Sequence, residues 1–497
     1  MTMVGKTLVG LTAASLLVAG PAFASPEVEE ELAEMRQLVQ DLKERVEAQE
    51  EQLEHQGGIL EDAQRVVRET QLEDGTLSGV SEFWGAVDVH LSAAGSYAYN
   101  FHNPDGGGAY PGTGAATLPP GMQMPAPPMG TELPIAVTPG GGINGGTAGL
   151  YPFHGDHNSF QVDQVWLDIG KAPTDESRGG FMFTALFGNT ARFLGQQSSS
   201  LGRDGPLIGR GADSASDVYV HQAYVSWLAP VGEGIQIDAG KFATIIGAET
   251  ADASANWNIT RGNVYQLLQP IDHTGALATT TAGPITIKGG VVNAGNLGNG
   301  SPDFNKEKSY LGSLGFGSDM FGVAVNVLYG AEGGLGVHQS VATLGDNSHR
   351  EGLVDVVATL TTDGFEAWIN ADYLWTEKAS ASAYGIAVAG LVPLTDVFSV
   401  AARLEYARDD GRLPPFGLGV AGAFGPGGAM VGRHADIYSA TGTLAYELAE
   451  NLTLKGEVRW DKVNTFSPTG TPDAFFTNTA GGSQDQVVGL GQMIYAF

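Results

Sequence analysis

From Phe83 onward, apolar and polar residues alternate with a period of two in one segment after another. Successive side chains of a β-strand point to opposite faces of a sheet, so this alternation predicts strands with one apolar face and one polar face. Sixteen such strands are predicted, centred on residues 83–97, 159–170, 180–189, 216–228, 234–244, 271–281, 284–293, 308–317, 321–330, 352–361, 364–375, 381–391, 396–407, 434–448, 451–462 and 485–497.

The connections between these strands alternate between short and long. Short turns, such as those at 229–233, 283–284, 318–320, 362–364 and 449–451, are followed by Gly- and Pro-rich stretches of up to about sixty residues. Bacterial outer-membrane barrels show the same alternation, because their periplasmic turns are short and their extracellular loops are long. We therefore predict an all-β fold, a transmembrane antiparallel β-barrel of about sixteen strands over residues 80–497.

The fifteenth strand separates its two faces most clearly. One face carries Leu452, Leu454, Gly456, Val458 and Trp460, and the other carries Thr453, Lys455, Glu457, Arg459 and Asp461. Unpaired charges on an inner face would cost several kcal/mol each if they were buried, and about sixteen strands enclose more space than side chains fill. The pattern therefore predicts a water-filled channel.

Charged residues on the predicted inner face, or in a loop that folds inward, are candidates for lining or constricting this channel, because rings of charge select among permeating ions. These candidates are Asp238, Glu249, Arg261, Glu366, Arg403, Glu405, Lys455, Glu457, Arg459 and Asp461.

The connection from Gly247 to Pro270 is the best candidate for a constricting loop. It carries Trp257, Tyr265 and two leucines among polar residues, and exposing these to bulk water would be costly, so we expect part of the loop to pack against the inner wall. Two alternatives remain open for Glu249 and Arg261: a transverse field across a constriction, or a structural salt bridge that anchors the loop.

The C-terminal strand and the N-terminal region carry export and assembly signals. Tyr495 and Phe497 are predicted to be the barrel-insertion signal, with an aromatic residue at the membrane interface. Residues 1–24 have the basic start, short apolar run and small-x-small cleavage site of a secretory signal peptide.

Residues 25–75 change to a heptad pattern, which predicts a helical coiled coil. We interpret the segment as a periplasmic stalk that trimerises the barrel or touches peptidoglycan; the alternative is a helix folded back on its own chain. Its predicted core positions are Leu32, Met35, Val39, Leu42, Val46, Leu53, Leu60 and Val67.

The formal net charge of -30 argues against a nucleic-acid partner, which needs a basic face. The charge suggests, weakly, a surface that favours cations or binds divalent ions. The chain has no cysteine, so disulfides, thiolate metal sites and c-type haem attachment are excluded. No apolar stretch reaches the roughly twenty residues that a membrane-spanning helix needs.

Two groups of residues could bind a metal or take part in catalysis. For both groups, a purely structural role is the favoured interpretation. His154, Asp156 and His157 could ligate zinc or nickel, but a polar loop is the favoured interpretation, so we predict no metal. Asp88 and His90 share a strand face, yet hydrogen bonding in the lumen explains them more simply than catalysis. The protein is predicted not to be an enzyme and to need no cofactor.

The segment from Gln222 to Asn293 resembles the OmpL-like family of outer-membrane β-barrel porins. The resemblance lies in a Gly-Lys-Phe segment, a Gly-x-Glu, an Asn and Arg in the following loop, a Pro-x-x-His-Thr-Gly, and an Asn that here precedes Ala-Gly instead of Gly. These motifs fall on Gly240, Lys241, Phe242, Gly247, Glu249, Asn256, Arg261, Pro270, His273, Thr274, Gly275 and Asn293. The resemblance implies a porin, without naming a substrate.

Together these features predict a porin of the cell outer membrane that lets small hydrophilic solutes or ions diffuse passively, with a mild preference for cations. Its expected partners are outer-membrane lipid, two further copies in a homotrimer, peptidoglycan through the stalk, and the permeating solutes, but not nucleic acid. The alternative is an outer-membrane anchor or adhesin that tethers the envelope through its coiled coil.

Overall fold

The computed structural model describes residues 85–102, 151–154, 158–200, 218–293, 307–331, 350–377, 381–410, 434–466, 472–473, 476–478 and 481–497. The predicted signal peptide, the predicted coiled coil and residues 155–157 lie outside the described residues. The predicted domain bounds at the N-terminus therefore stay predictions.

Sixteen long strands form the wall, in the number and order that the alternation predicts. They are β1 (Asp88–Asn100), β2 (Ser159–Lys171), β3 (Gly179–Phe187), β4 (Val218–Ala229), β5 (Ile235–Ala243), β6 (Asp272–Ala282), β7 (Ile285–Val292), β8 (Ser309–Gly317), β9 (Phe321–Ala331), β10 (Arg350–Thr362), β11 (Phe365–Thr376), β12 (Ala381–Thr395), β13 (Phe398–Asp409), β14 (His434–Ala449), β15 (Leu452–Phe466) and β16 (Asp485–Ala496).

The sheet closes on itself as an antiparallel barrel. Each strand pairs with the next along the chain, and β1 pairs with β16 in a register that sets Ser92 opposite Ala496 and Asn100 opposite Val488. Three short strand pieces, Pro472–Asp473, Phe476–Asn478 and Gly481–Ser483, lie in the connection before β16. The predicted closed barrel is confirmed.

Among the described residues, two α-helices lie in connections where the alternation predicts no helix. Helix α1 spans Asn189–Ser200 after β3, and α2 spans Asn263–Leu268 before β6. Residue 189, predicted as the end of a strand, is instead the first residue of α1. In the described part of the chain, no helix has the length and apolar character needed to cross a membrane.

The outward face is apolar, with aromatic rings near both ends of the strands. Such rings sit at the two membrane interfaces of outer-membrane barrels. Near the short turns these exposed rings are Trp227, Phe316, Phe321, Phe365, Tyr446, Tyr495 and Phe497, and near the long loops they include Phe160, Tyr310, Tyr373, Tyr384 and Tyr438. The short-turn end is periplasmic by the usual asymmetry of these barrels.

Phe497 completes the seam between the first and last strands. Its backbone N–H donates to the Leu91 carbonyl at 3.0 Å, and its own carbonyl oxygen accepts from Leu91 N–H at 3.1 Å. The same oxygen lies 3.1 Å from Nδ1 of His90. In lipid each unpaired backbone group costs several kcal/mol, so these bonds protect the end of the seam.

We expect deletion of Phe497 to leave most of the protein unassembled, because the seam loses two backbone hydrogen bonds and an interfacial aromatic ring. Phe497→Ala keeps the backbone bonds and should have a smaller effect. The folded fraction can be measured from heat-modifiable gel mobility of isolated outer membranes. Val231→Ala, at an exposed turn, is the matched control. Normal assembly of the truncated chain would contradict the role of this residue.

Candidate functional site

Residues 244–271, which connect β5 to β6, fold into the barrel; we call this segment the inward loop. Gly247 begins the inward course with φ +94°, in the left-handed region that glycine favours. Tyr265, Leu267 and Leu268 are buried. The predicted placement of this connection inside the barrel agrees with the structure.

Helix α2 of the inward loop rests on a strip of small side chains. The inner face of β12 presents Ala383, Gly385, Ala387 and Ala389, all buried. A Cβ added at Gly385 would lie 2.8 Å from Cδ1 of Leu268 and 3.0 Å from Cγ2 of Val264. Because large side chains would displace the helix, the composition of β12 sets where α2 sits.

The tip of the inward loop is held by a carboxylate from β15. Glu457 Oε2 accepts from the backbone N–H of Ile259 at 2.5 Å, and Oε1 accepts from the N–H and hydroxyl of Thr260 at 3.0 and 2.5 Å. Thr443 on β14 donates to the same carboxylate at 2.7 Å. Hydrogen bonds to an ionised acceptor are stronger than those between neutral groups, so this contact fixes the position of the tip against β15.

Arg403 on β13 joins the inward loop to the wall through charge. Its guanidinium lies 2.6 Å from Oε1 of Glu249 and 3.1 Å from Oε2 of Glu405, and it donates to the Thr260 carbonyl at 2.7 Å. The Arg403 side chain is fully buried. One cation therefore balances two carboxylates in a space that excludes water.

Two further cations of β15 bind backbone carbonyls of the inward loop. Arg459 pairs with Asp461 at 2.9 Å and donates to the Arg261 carbonyl at 2.8 Å. Lys455 Nζ donates to the carbonyl of Asn256 at 2.6 Å. The inner wall thus supplies both anions and cations that bind this one loop.

Arg261 stabilises the inward loop from within. Its guanidinium donates to the carbonyls of Thr250, Ile259 and Ala251 at 3.1, 3.1 and 2.6 Å and lies over the Phe153 ring, 5.1 Å from its centre. The predicted pairing of Glu249 with Arg261 is wrong, because Glu249 binds Arg403. Arg261 instead anchors the loop through its backbone carbonyls.

Burial shifts the ionisation of the loop residues. It raises the pKa of the Glu249 carboxyl, while the neighbouring Arg403 opposes the shift. Burial lowers the pKa of Arg261 and raises that of the Tyr265 hydroxyl. Outside the loop, burial raises the pKa of Tyr151 to about 12. All four shifts come first from lost hydration, so the charges of the loop depend on their protein partners.

Most predicted pore-lining residues lie beneath the inward loop instead of facing open water. Of the ten candidates, Glu366 keeps partial exposure, whereas the side chains of the other nine are buried. Asp238, for example, accepts hydrogen bonds from Ser226 and Gln236 at 2.6 and 2.9 Å. Glu249 and Arg261 belong to the inward loop itself, and the wall residues that contact it are Arg403, Glu405, Lys455, Glu457, Arg459 and Asp461. A role of these residues in lining or constricting the pore stays a prediction.

The candidate metal-binding and catalytic histidines, His154 and His90, form hydrogen bonds with other residues of the barrel. Both ring nitrogens of His154 are engaged, by Asp163 at 3.1 Å and by the Ile259 carbonyl at 3.1 Å, while Asp156 and His157 lie outside the described residues. His90 Nε2 lies 3.3 Å from Asp252, and Asp88 is not its partner. Among the described residues, no group of three or more His, Cys, Asp or Glu could hold a metal ion.

Several anchors of the inward loop were not predicted. Gln269 and Gly247, at its two ends, bind Asp372 and Asp355 on neighbouring strands, and Asn263 binds Arg459. The signal in the sequence that could have identified the Gly247 contact is Asp355, a charged residue between two apolar positions of the inner face of β10, Leu353 and Val357.

A closed sixteen-stranded barrel with an apolar exterior, a charged inner wall and a loop folded into its lumen defines an outer-membrane barrel of the porin class. The model of the family described as "Putative beta-barrel porin-2, OmpL-like" matches residues 137–497. The protein belongs to this family, as its resemblance in sequence implied, and it is an outer-membrane porin by family and fold. A search of curated proteins found no match.

Solved outer-membrane proteins resemble the chain over most of its length. OmpT of Vibrio cholerae is 12% identical, with 83% of this chain and 97% of that chain covered and a TM-score of 0.44. The outer-membrane channel DcaP of Acinetobacter baumannii is 10% identical, with 83% and 97% covered and a TM-score of 0.45. An anion-selective porin from Comamonas acidovorans is 10% identical, with 83% and 99% covered and a TM-score of 0.44.

Arg403→Met should destabilise the protein by about 3–5 kcal/mol, because it leaves Glu249 and Glu405 as buried, uncompensated charges. Urea unfolding in lipid vesicles, followed by tryptophan fluorescence, measures the loss. Arg178→Met is the matched control, since Arg178 pairs with Asp175 on the surface at 3.0 Å, where ion pairs contribute about 0–1 kcal/mol.

Adding Glu249→Gln and Glu405→Gln to the Arg403→Met chain should restore part of the lost stability, because the stranded charges are removed. Equal losses for Arg403→Met and Arg178→Met would contradict the role of Arg403 as the charge that binds the loop.

Proposed function

We propose that this porin lets small hydrophilic solutes or ions diffuse passively across the outer membrane, with the inward loop as its constriction. The observation that carries the proposal is the polar inner wall between the loop and the periplasmic turns. There Thr281, Thr359 and Thr361 are exposed, and Lys288 and Glu366 are partly exposed. A polar wall that keeps contact with water is what a diffusion pathway needs.

A mild preference for cations is supported by the charges at the periplasmic mouth. Acidic side chains outnumber basic ones in the short turns, all of which the structure describes, and Arg178 is the one basic residue there. The exposed acids of these turns are Asp175, Glu176, Glu233, Asp319, Asp363, Asp396 and Glu450. Charges at a pore entrance concentrate counter-ions, so this ring favours cation entry from the periplasmic side.

Single-channel conductance in a planar bilayer with a salt gradient tests the porin. We expect stepwise, ohmic openings and a reversal potential on the cation-selective side. Neutralising three turns with Asp319→Asn, Asp363→Asn and Asp396→Asn should move the reversal potential toward zero. The shift should be larger at about 0.1 M than at about 1 M salt, where charges are screened beyond about 3 Å.

The matched control places asparagine at three uncharged, exposed turn positions: Val231→Asn, Ser318→Asn and Val397→Asn. Its reversal potential should equal that of the unmodified protein. Chloride selectivity of the unmodified pore would overturn the cation preference. No conductance from a demonstrably folded barrel would overturn passive diffusion and favour the anchor or adhesin.

Residues 25–75 are proposed to form a periplasmic coiled-coil stalk that holds a homotrimer together or contacts peptidoglycan. The supporting observation is the heptad pattern, in which apolar core positions are interspersed among sixteen acidic and five basic residues. The competing proposal is that the same stalk tethers the envelope while the barrel serves only as an anchor.

Deletion of residues 25–75 from the full chain should abolish chemical cross-linking to a trimer while single-channel conductance per barrel is kept. Packing of the predicted core can be tested without deletion by Val39→Asp and Leu53→Asp, with Gln40→Asp as a control outside the predicted core. A tether would instead lose attachment of the outer membrane to isolated cell-wall sacculi. Unchanged cross-linking of the deleted chain would contradict the trimerisation role.

A further inference from the structure

Two histidines bind the inward loop, one at its tip and one a few residues before it. Nε2 of His90 on β1 lies 3.3 Å from Oδ2 of Asp252. Nε2 of His154, at the end of a short 3₁₀ helix before β2, lies 3.1 Å from the carbonyl oxygen of Ile259. We call residues 252–259 of the inward loop the tip segment. A histidine therefore holds each end of this segment.

Both ring nitrogens of His90 face oxygen atoms that can only accept a hydrogen bond. Nδ1 lies 3.1 Å from the Phe497 carbonyl oxygen, and Nε2 faces Asp252. The Asp252 carboxylate also accepts from the N–H and hydroxyl of Ser254 at 2.9 and 2.8 Å and from the Ser92 hydroxyl at 3.3 Å, as an ionised carboxylate does. A neutral imidazole has one N–H, so only the protonated ring satisfies both contacts.

The surroundings of His154 lead to the same protonation. Nε2 faces the Ile259 carbonyl, and Nδ1 lies 3.1 Å from Oδ1 of Asp163 on β2. The Ser96 hydroxyl, 3.3 Å from Nδ1, donates its one proton to Asp163 at 2.7 Å and accepts from Gln161 at 3.2 Å. Nδ1 must therefore donate to Asp163 while Nε2 donates to the loop. Because His154 is 1% exposed, bulk water does not replace a hydrogen bond lost here.

Three acidic residues lie around the His90 ring. Asp252 approaches it from the inward loop, Asp168 is its register partner on β2, and Asp88 lies two residues away on the same face of β1. Strand β16 contributes the Phe497 carbonyl. An imidazolium at this position therefore meets opposite charges from two strands and from the loop. The His90 side chain is 37% exposed, so it can exchange protons with the solvent.

The His154 ring has one acidic and one basic neighbour. Asp163 on β2 faces Nδ1, while Arg261 of the inward loop donates to the same Ile259 carbonyl as Nε2, at 3.1 Å. Glu457 on β15 accepts from the N–H of Ile259. The backbone of this residue is thus held by an anion on one side and by two cations on the other. Loss of the His154 proton would leave Arg261 and Glu457 in place, so it would weaken the tip contact without abolishing it.

We propose that His90 and His154 form a proton-dependent latch, which holds the tip segment against the wall while both rings are protonated and releases it as the pH rises. Removal of the proton leaves each ring with one N–H for two acceptors, so one contact at each ring becomes repulsive. Because the docked loop then holds more protons than the released loop, docking weakens as the pH rises, by up to about tenfold per pH unit for each histidine.

Nitrogen-15 NMR of the full-length protein in detergent, with labelled histidine, tests the protonation directly. The nitrogen shifts distinguish a ring with two N–H groups from either neutral tautomer. At about pH 7, where a histidine in water is mostly neutral, we expect doubly protonated rings at both positions of the latch. Their signals are assigned by their loss in His90→Gln and in His154→Gln. Neutral rings at both positions would overturn the proposal.

Docking of the tip segment has its own spectroscopic reporter. Trp257, within the segment, stacks on Trp368 of β11 with ring centres 6.3 Å apart. Two indoles this close give an exciton couplet in circular dichroism, which is lost when the segment moves away. Between about pH 5 and about pH 8, where histidine changes charge, we expect the couplet of the unmodified protein to fall by about half or more. Trp257→Phe assigns the couplet, and heat-modifiable gel mobility shows that the barrel stays folded.

The double variant His90→Gln with His154→Gln should have a smaller couplet at acidic pH and should lose most of its pH dependence, because amide side chains do not titrate. His90→Arg carries a permanent cation, so it should reduce the pH dependence and keep the couplet at acidic pH. His221→Gln is the matched control, since His221 binds Asp272 of β6 instead of the inward loop. This control should keep the full pH dependence.

Glu249 and Lys455 are further titratable anchors of the loop, and they are unchanged in these variants. A pH dependence that persists in the double variant would come from them and would overturn the latch, as would a couplet that does not change with pH in the unmodified protein.

In bilayers, open-channel conductance should rise with pH in the unmodified protein and stay constant in the double variant. This readout rests on the proposed porin function, whereas NMR and circular dichroism do not. Absence of conductance with a normal spectroscopic response would therefore count against the function and support the latch.

Discussion

Backbone hydrogen bonding in lipid is the constraint on which the rest of this protein depends. A spanning segment has no water to pair with its N–H and C=O groups, so a sheet in the membrane must close. Here the closure is the pairing of β1 with β16, completed by Phe497 and Leu91. Once the sheet is closed, the alternation of side chains sends apolar residues to lipid and charged residues to the lumen.

The charged side chains of the inner wall then bind one another and one loop. Arg403 binds Glu249, Glu457 binds backbone N–H groups at the tip, and Lys455 binds a carbonyl, so wall and loop satisfy each other's polar groups. Without the wall, the buried polar groups of the loop would lose partners on which their burial depends. The inward loop is thus part of the barrel's folded structure.

The sequence predicts the wall well and the site only in outline. Strand number and strand faces follow from a period-two pattern that lipid and water impose locally. The inward course of the loop follows from its apolar residues, such as Tyr265. The partner of Glu249 could not be predicted, because a residue such as Arg403 becomes its neighbour only through the register of intervening strands. Helix α1 was missed because a short polar segment such as Asn189–Ser200 carries little periodicity.

The anchors of the inward loop lie far along the chain, and this bears on the order of folding. Glu249 and Arg403 are 154 residues apart, and Ile259 and Glu457 are 198 residues apart. Contacts of such long range form slowly, since much chain must be ordered before they are made. The loop emerges early but cannot dock until β13 and β15 are in place. Docking of the loop is therefore expected to be a late step of folding.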